Sequence, residues 1–158
     1  MGWWSASILG GDTPLDFLGD FADIVGVGSR DDEEEGLSEL YGYNFSKEIL
    51  NDSVNLGKML SYADKQKYDK SIAYQVLAVI LMATGSNISQ TLKNKIISQS
   101  KKDEWYLSKN PERVAYIDQL IGSVELYKNG LPIILKSEGL FEKISQHLAD
   151  GKTGLVNK

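Results

Sequence analysis

Apolar residues recur with a helical period along much of this chain. Leu15, Leu18, Ala22 and Val25 keep that spacing, with Phe17, Phe21 and Ile24 beside them, which predicts a first helix with a broad buried face. Thr13 is placed to cap it, Pro14 suits the first helical position, Asp16 falls at the third, and Gly26 or Gly28 ends it. A second helix is expected from Ser46 to about Tyr62, on Ile49, Leu50, Val54, Leu56, Met59 and Leu60. The third is the plainest element: Asp69 can cap it, Ile72 to Ala83 is apolar nearly all round, and Gly85 stops it. A helix apolar on every side belongs at the centre of a bundle.

Ser89 starts a fourth helix with Leu92, Ile96 and Ile97, and residues 101–109 read as a connection holding Trp105 and Tyr106. Asn110-Pro111 opens a fifth helix on Val114, Ile117, Ile121 and Val124, running to about Tyr127 and closed by Gly130. A last helix is expected from about Ser137 to Ala149, with residues 152–158 frayed. Residues 1–13 read as an ordered, non-helical arm carrying Trp3 and Trp4, and 28–45 as an acidic and aromatic loop. The expected architecture is therefore one all-α domain over residues 1–158, a compact bundle of five to six helices.

Composition narrows the function classes. The 158 residues contain no cysteine, which removes disulfides, thiolate metal sites and a cysteine nucleophile. No apolar run approaches the roughly 20 residues that span a bilayer, and Met1-Gly2-Trp3-Trp4 has no basic segment ahead of an apolar stretch. A cytoplasmic protein without a membrane partner is expected. The net charge of −5 is unevenly spread. Residues 1–40 hold ten acids against one base, a net of −9, whereas 41–158 hold twelve acids and sixteen bases, a net of +4. Such an acidic end repels phosphate backbones and attracts basic partners, and no basic patch is dense enough for a nucleic-acid footprint, so direct nucleic-acid binding is not expected.

Few constellations point to chemistry. Asp12, Asp16, Asp20 and Asp23 fall on one side of the first helix, where carboxylates can ligate a hard cation, yet no Glu-x-x-His pair completes such a site. Asp12 and Asp16 also serve a helix start, and Asp20 and Asp23 a wet face. His147, the single histidine, lies near a helix end and reads as structural, because no nucleophile elbow accompanies it. Gly26-Val27-Gly28 lacks the strand and third glycine of a dinucleotide fingerprint, and Asp12 beside Gly10-Gly11 disfavours an anion there. No cofactor and no metal is called for.

Met1-Gly2-x-Trp4, then Asp12, then Leu15-Asp16-Phe17-Leu18, resembles the opening of the bacterial proteins grouped as domain-of-unknown-function family 4259. That family begins Met-Gly-x-Trp-Gly, followed by an Asn-Asp pair and an Asp-Phe or Asp-Trp-Leu segment. The middle is similar in style, with the apolar helix Ala73 to Ala83 and the Ser123 to Tyr127 segment. Ser5, Gly11 and Pro14 depart from the family's glycine, asparagine and frequent alanine. The resemblance implies a small helical domain with no catalytic residue to carry over. It also implies that Trp4, Asp12 and Asp16 form a structural or functional unit, for example with an Asp12 carboxylate accepting bonds from arm amides or the Trp4 indole, and Trp3 of the arm is counted in the same arm–helix unit.

Three functions follow in order. The first is a non-catalytic interaction protein of the inhibitor, immunity or anti-defence type, binding a basic partner protein through Asp20, Asp23, Asp31, Asp32, Glu33, Glu34 and Glu35. The second is a small-molecule, nucleotide-like binder lined by Lys101, Lys102, Trp105, Tyr106 and Arg113. The third is a carboxylate-metal hydrolase on the Asp12, Asp16 and Asp20 stripe.

Overall fold

A computed structural model describes residues 7–28 and 43–133. Seven helices and no strand occur among the described residues: α1 (Asp12–Val25), α2 (Lys47–Leu50), α3 (Ser53–Asp64), α4 (Lys70–Thr84), α5 (Gln90–Ser100), α6 (Glu104–Leu107) and α7 (Pro111–Leu126). None is long and apolar enough to cross a membrane. Trp3, Trp4, the acidic run Asp31 to Glu35, Tyr41, His147 and the expected last helix lie outside the described residues.

The helix α4 is the axis of the fold. Ten consecutive residues, Ala73 to Met82, are buried, and α1, α2, α3, α5 and α7 all pack against it. Its centre-of-bundle position follows from having no polar stripe to turn towards water. The surrounding helices each contribute one apolar face: Phe17, Leu18, Phe21 and Ala22 from α1, Met59 and Ala63 from α3, Leu92 and Ile96 from α5, Ile117, Leu120 and Val124 from α7. Ile8 and Leu9 of the arm are also buried in this core.

The carbonyls at the end of α4 have no helical partner, and a buried helix end cannot rely on water. The Gly85 and Ser86 amides close on the Met82 and Leu81 carbonyls, and the segment that follows α7 adds donors to Met82 and to the turn just beyond α4. The Ile133 amide bonds to the Met82 carbonyl at 2.9 Å, and the Gly130 amide to the Gly85 carbonyl at 3.0 Å. The Tyr127 hydroxyl donates to the Ser86 carbonyl at 2.6 Å, and burial pushes that phenol up to about 12. The 85–88 turn is fixed from outside as well, by Asn51 Oδ1 on the Asn87 amide and Asn129 Oδ1 on the Ile88 amide.

Several boundaries differ from the sequence expectation. The first helix starts two residues early, on Asp12 with Gly11 as its cap, so Pro14 sits at the third helical position and Asp16 lies beyond the first turn. The single helix expected from Ser46 to Tyr62 is two. Ser46 caps α2 as expected, but at Asn51 the chain turns out, and the Asp52 carboxylate accepts the Val54 and Asn55 amides to start α3. Within the connection expected over 101–109, Asp103 caps the short helix α6 by accepting the Tyr106 amide. Asp69 occupies the cap position of α4 but its side chain makes no capping bond. Ser89, Asn110 and Gly85 play the parts their positions suggest.

Gly85 and Gly26 both end helices in the left-handed conformation, at φ +75° and +77°. A Cβ at Gly85 would lie 3.0 Å from Pro132 Cδ, whereas one at Gly26 would meet nothing within 4 Å. Gly26→Ala is therefore expected to cost about 1–2 kcal/mol, the backbone penalty alone, and Gly85→Ala more. Leu77→Ala in the middle of α4 is expected to cost about 2–5 kcal/mol. Chemical denaturation of the three variants checks the ranking.

Candidate functional site

Among the described residues Arg113 is the largest side chain buried completely, and its charge governs what surrounds it. It projects from the first turn of α7, where Asn110 caps the helix by accepting the Arg113 amide at 3.0 Å. The guanidinium donates to Asp103 Oδ2 from both Nε (3.2 Å) and Nη2 (2.7 Å), to Gln75 Oε1 from Nη2 (2.9 Å), and to the Ser7 carbonyl from Nη1 (3.0 Å). Gln75 Nε2 completes the ring by donating to Asp103 Oδ2 at 3.0 Å. Burial by itself would raise Asp103, but the bonds and charge of Arg113, the Gln75 amide and the Tyr106 amide together hold it below the usual carboxylate value. The carboxylate therefore stays ionised opposite the guanidinium.

Above this pair opens a cleft of about 220 Å³. Tyr68, Asp69, Ser71 and Ile72 line it from the start of α4, and Lys102, Glu104 and Trp105 from the turn into α6, with Asp103 and Arg113 at its base. The Arg113 guanidinium sits 5.3 Å from the centre of the Trp105 ring, a cation–π contact. Three of the five residues expected to line a nucleotide-like site, Lys102, Trp105 and Arg113, meet here, whereas Lys101 and Tyr106 do not line the cleft. Tyr106 turns instead to Asp118, donating to its carboxylate at 2.9 Å. The chemistry of the lining differs from the expectation. Arg113 is committed to Asp103, Gln75 and Ser7, and Asp69 and Glu104 add negative charge, so among the described lining residues Lys102 is the one lysine.

The aspartates of α1 form a second surface. Asp12, Asp16, Asp20 and Asp23 are all exposed, and the helix carries no base. Asp20 accepts a short hydrogen bond from the Tyr62 hydroxyl of α3, and Tyr62 packs edge-on against Phe17 and Phe21. Burial and then the Asp20 bond push the Tyr62 phenol above its ordinary range. Among the described residues no group of three His, Asp or Glu side chains comes together to hold a metal ion. The stripe spreads over ~16 Å of one helix, at 1.5 Å per residue, and α3 answers it with a phenol rather than with further carboxylates. Asp12 is the first residue of α1 and exposed, while the arm tryptophans expected beside it lie outside the described residues.

A smaller pocket of about 180 Å³ lies between α3, α4 and α5, with Leu60, Tyr74, Leu92 and Thr91 in its walls. Asp64 at its rim accepts from the Tyr74 hydroxyl and from Lys95 Nζ, the latter at 2.9 Å. The Tyr74 phenol is pushed up to about 12 by burial and by Asp64, and Lys95 is raised by its bond to Asp64. Both groups hold their protons more tightly than usual, which suits a structural clasp rather than a base or nucleophile.

No family model, no curated protein and no solved structure matches the chain.

Gln75 and Asp103 escaped the sequence reading. The signal for Gln75 was present: an amide inside a run of apolar residues must find a polar partner once buried. Asp103 had no such mark, since an acid in a lysine-rich turn looks solvated.

Asp103→Asn leaves a buried guanidinium without its counter-charge and is expected to destabilise the fold by about 3–5 kcal/mol. Because the folded state favours ionised Asp103, this contribution is present above the unfolded carboxylate value of about 3.9 and is lost as pH falls through it towards the lower folded value. Urea unfolding from pH 7 to pH 2 checks this: stability falls on acidification, and less steeply in the Asp103→Asn protein.

Proposed function

We propose that this protein acts by binding rather than by catalysis, docking on a basic surface of a partner protein in the manner of an inhibitor or immunity protein. The observation that carries this reading is the division of α1 into two faces. Phe17, Leu18, Phe21 and Ala22 are buried, while the outer face presents four aspartates with no base on the helix. The carboxylates of Asp12, Asp16 and Asp23 make no hydrogen bond or ion pair among the described residues, so their charge is available to a partner. In sequence the chain soon adds Asp31, Asp32 and Glu33 to Glu35, extending the same sign. A face of one sign steers an oppositely charged partner and weakens with added salt. The resemblance to family 4259 fits a small helical protein of this kind and adds no activity.

The double substitution Asp16→Lys with Asp23→Lys removes the sign of the face without touching the core. Affinity capture from a lysate of the source cells, at low and high salt, tests the reading. The wild-type chain is expected to retain a defined basic protein at low salt and release it at high salt. The double variant is expected to lose that protein while unfolding at nearly the wild-type temperature. Equal retention by the variant, or no specific protein held by the wild type, overturns it.

A further inference from the structure

We propose that the cleft between the start of α4 and the turn into α6 binds a small zwitterion with an apolar or aromatic side chain, the chemistry of a free amino acid. This goes beyond docking through α1 and uses none of its residues.

Size sets the first limit. At about 220 Å³ the cleft is smaller than the ~300–1,000 Å³ that drug-sized ligands and nucleotides occupy. Charge sets the second. Asp69 and Glu104 bring carboxylates to the lining and Lys102 an ammonium, and none of the three is engaged in a hydrogen bond or ion pair among the described residues. The cleft thus offers both signs at once. Its base adds no net charge of either sign, because Arg113 and Asp103 neutralise each other at 2.7 Å with side chains only 1% and 4% exposed. A plain amine would satisfy the carboxylates but lie beside Lys102. A polyphosphate would satisfy Lys102 but meet two free carboxylates. A ligand carrying an ammonium and a carboxylate on one short skeleton answers both.

Apolar and aromatic residues share the lining with Ser71. Ile72, Trp105 and Tyr68 line the cleft, and Tyr68 is 86% exposed, so its side chain is reachable from solvent. Trp105 is backed by the Arg113 guanidinium, which is itself fixed by Asp103 and Gln75, so this wall is set before a ligand arrives. In the assigned pose the ligand ammonium meets Asp69 and Glu104, its carboxylate meets Lys102, and its side chain lies against the rings.

Calorimetric titration of the full chain with free phenylalanine, tryptophan and leucine tests the assignment, with phenethylamine, N-acetylphenylalanine and ATP as comparison probes. At least one free amino acid is expected to bind, with the amine-only and carboxylate-only analogues about tenfold weaker or worse and ATP not binding. The Asp69→Asn/Glu104→Gln variant and the Lys102→Met variant are each expected to weaken the amino acid by about tenfold or more while unfolding at the wild-type temperature. Phenethylamine binding as tightly as phenylalanine, ATP binding in preference to the amino acids, amino-acid binding unchanged in both variants, or no binding by any amino acid overturns the proposal.

Discussion

A guanidinium removed from water must find all its compensation inside the protein, and among the described residues Arg113 finds it in three separate parts of the chain. Its partners are Asp103 before α6, Gln75 in the middle of α4 and the Ser7 carbonyl in the arm, while Arg113 itself belongs to α7. Apolar packing is non-directional and tolerates small slides of one helix on another. These bonds do not, because each has a length and an angle to keep. The network therefore sets the register of α7 on α4, the path of the α5–α6 turn and the place where the arm enters the core. Loss of any single partner would strand a buried charge or dipole, which costs more than the bond itself contributes.

The same network shapes the surface above it. Trp105 packs against the guanidinium, and Asp103, as the cap of α6, fixes the turn that presents Lys102 and Glu104. The cleft is thus a by-product of solving a burial problem, with exposed charges of both signs arranged round a neutral, rigid base. On α1 the constraint is simpler. Its inner face must cover α4 and its outer face is free to vary, and that outer face is uniformly acidic. The two surfaces have different physical origins, which is why separate partners are proposed for them.

The sequence made much of the helical plan legible. The apolar run in α4, the αL glycine at 85 and the caps at Ser46, Ser89 and Asn110 are local features, written within a few residues of where they act. The break at Asn51 and Asp52 was hidden because the apolar period continues across it. The Asp52 carboxylate restarts the helix, and the Asn55 side chain bonds back to the Ile49 carbonyl at 3.0 Å to hold the join. The start of α1 moved for a related reason: a glycine cap at Gly11 offers no side-chain signal to compete with Thr13.

By itself, then, the sequence determined that the chain is helical, which helix is central and where negative charge accumulates, since all three depend on residue type and spacing alone. Only the tertiary structure decided what the buried polar residues do. Gln75, Asp103 and Arg113 are 28, 10 and 38 positions apart pairwise, and their meaning lies in a contact that no local pattern encodes. An arginine and an aspartate read as solvated charges until the helices close over them, and burial then turns both into the fixed points of the fold.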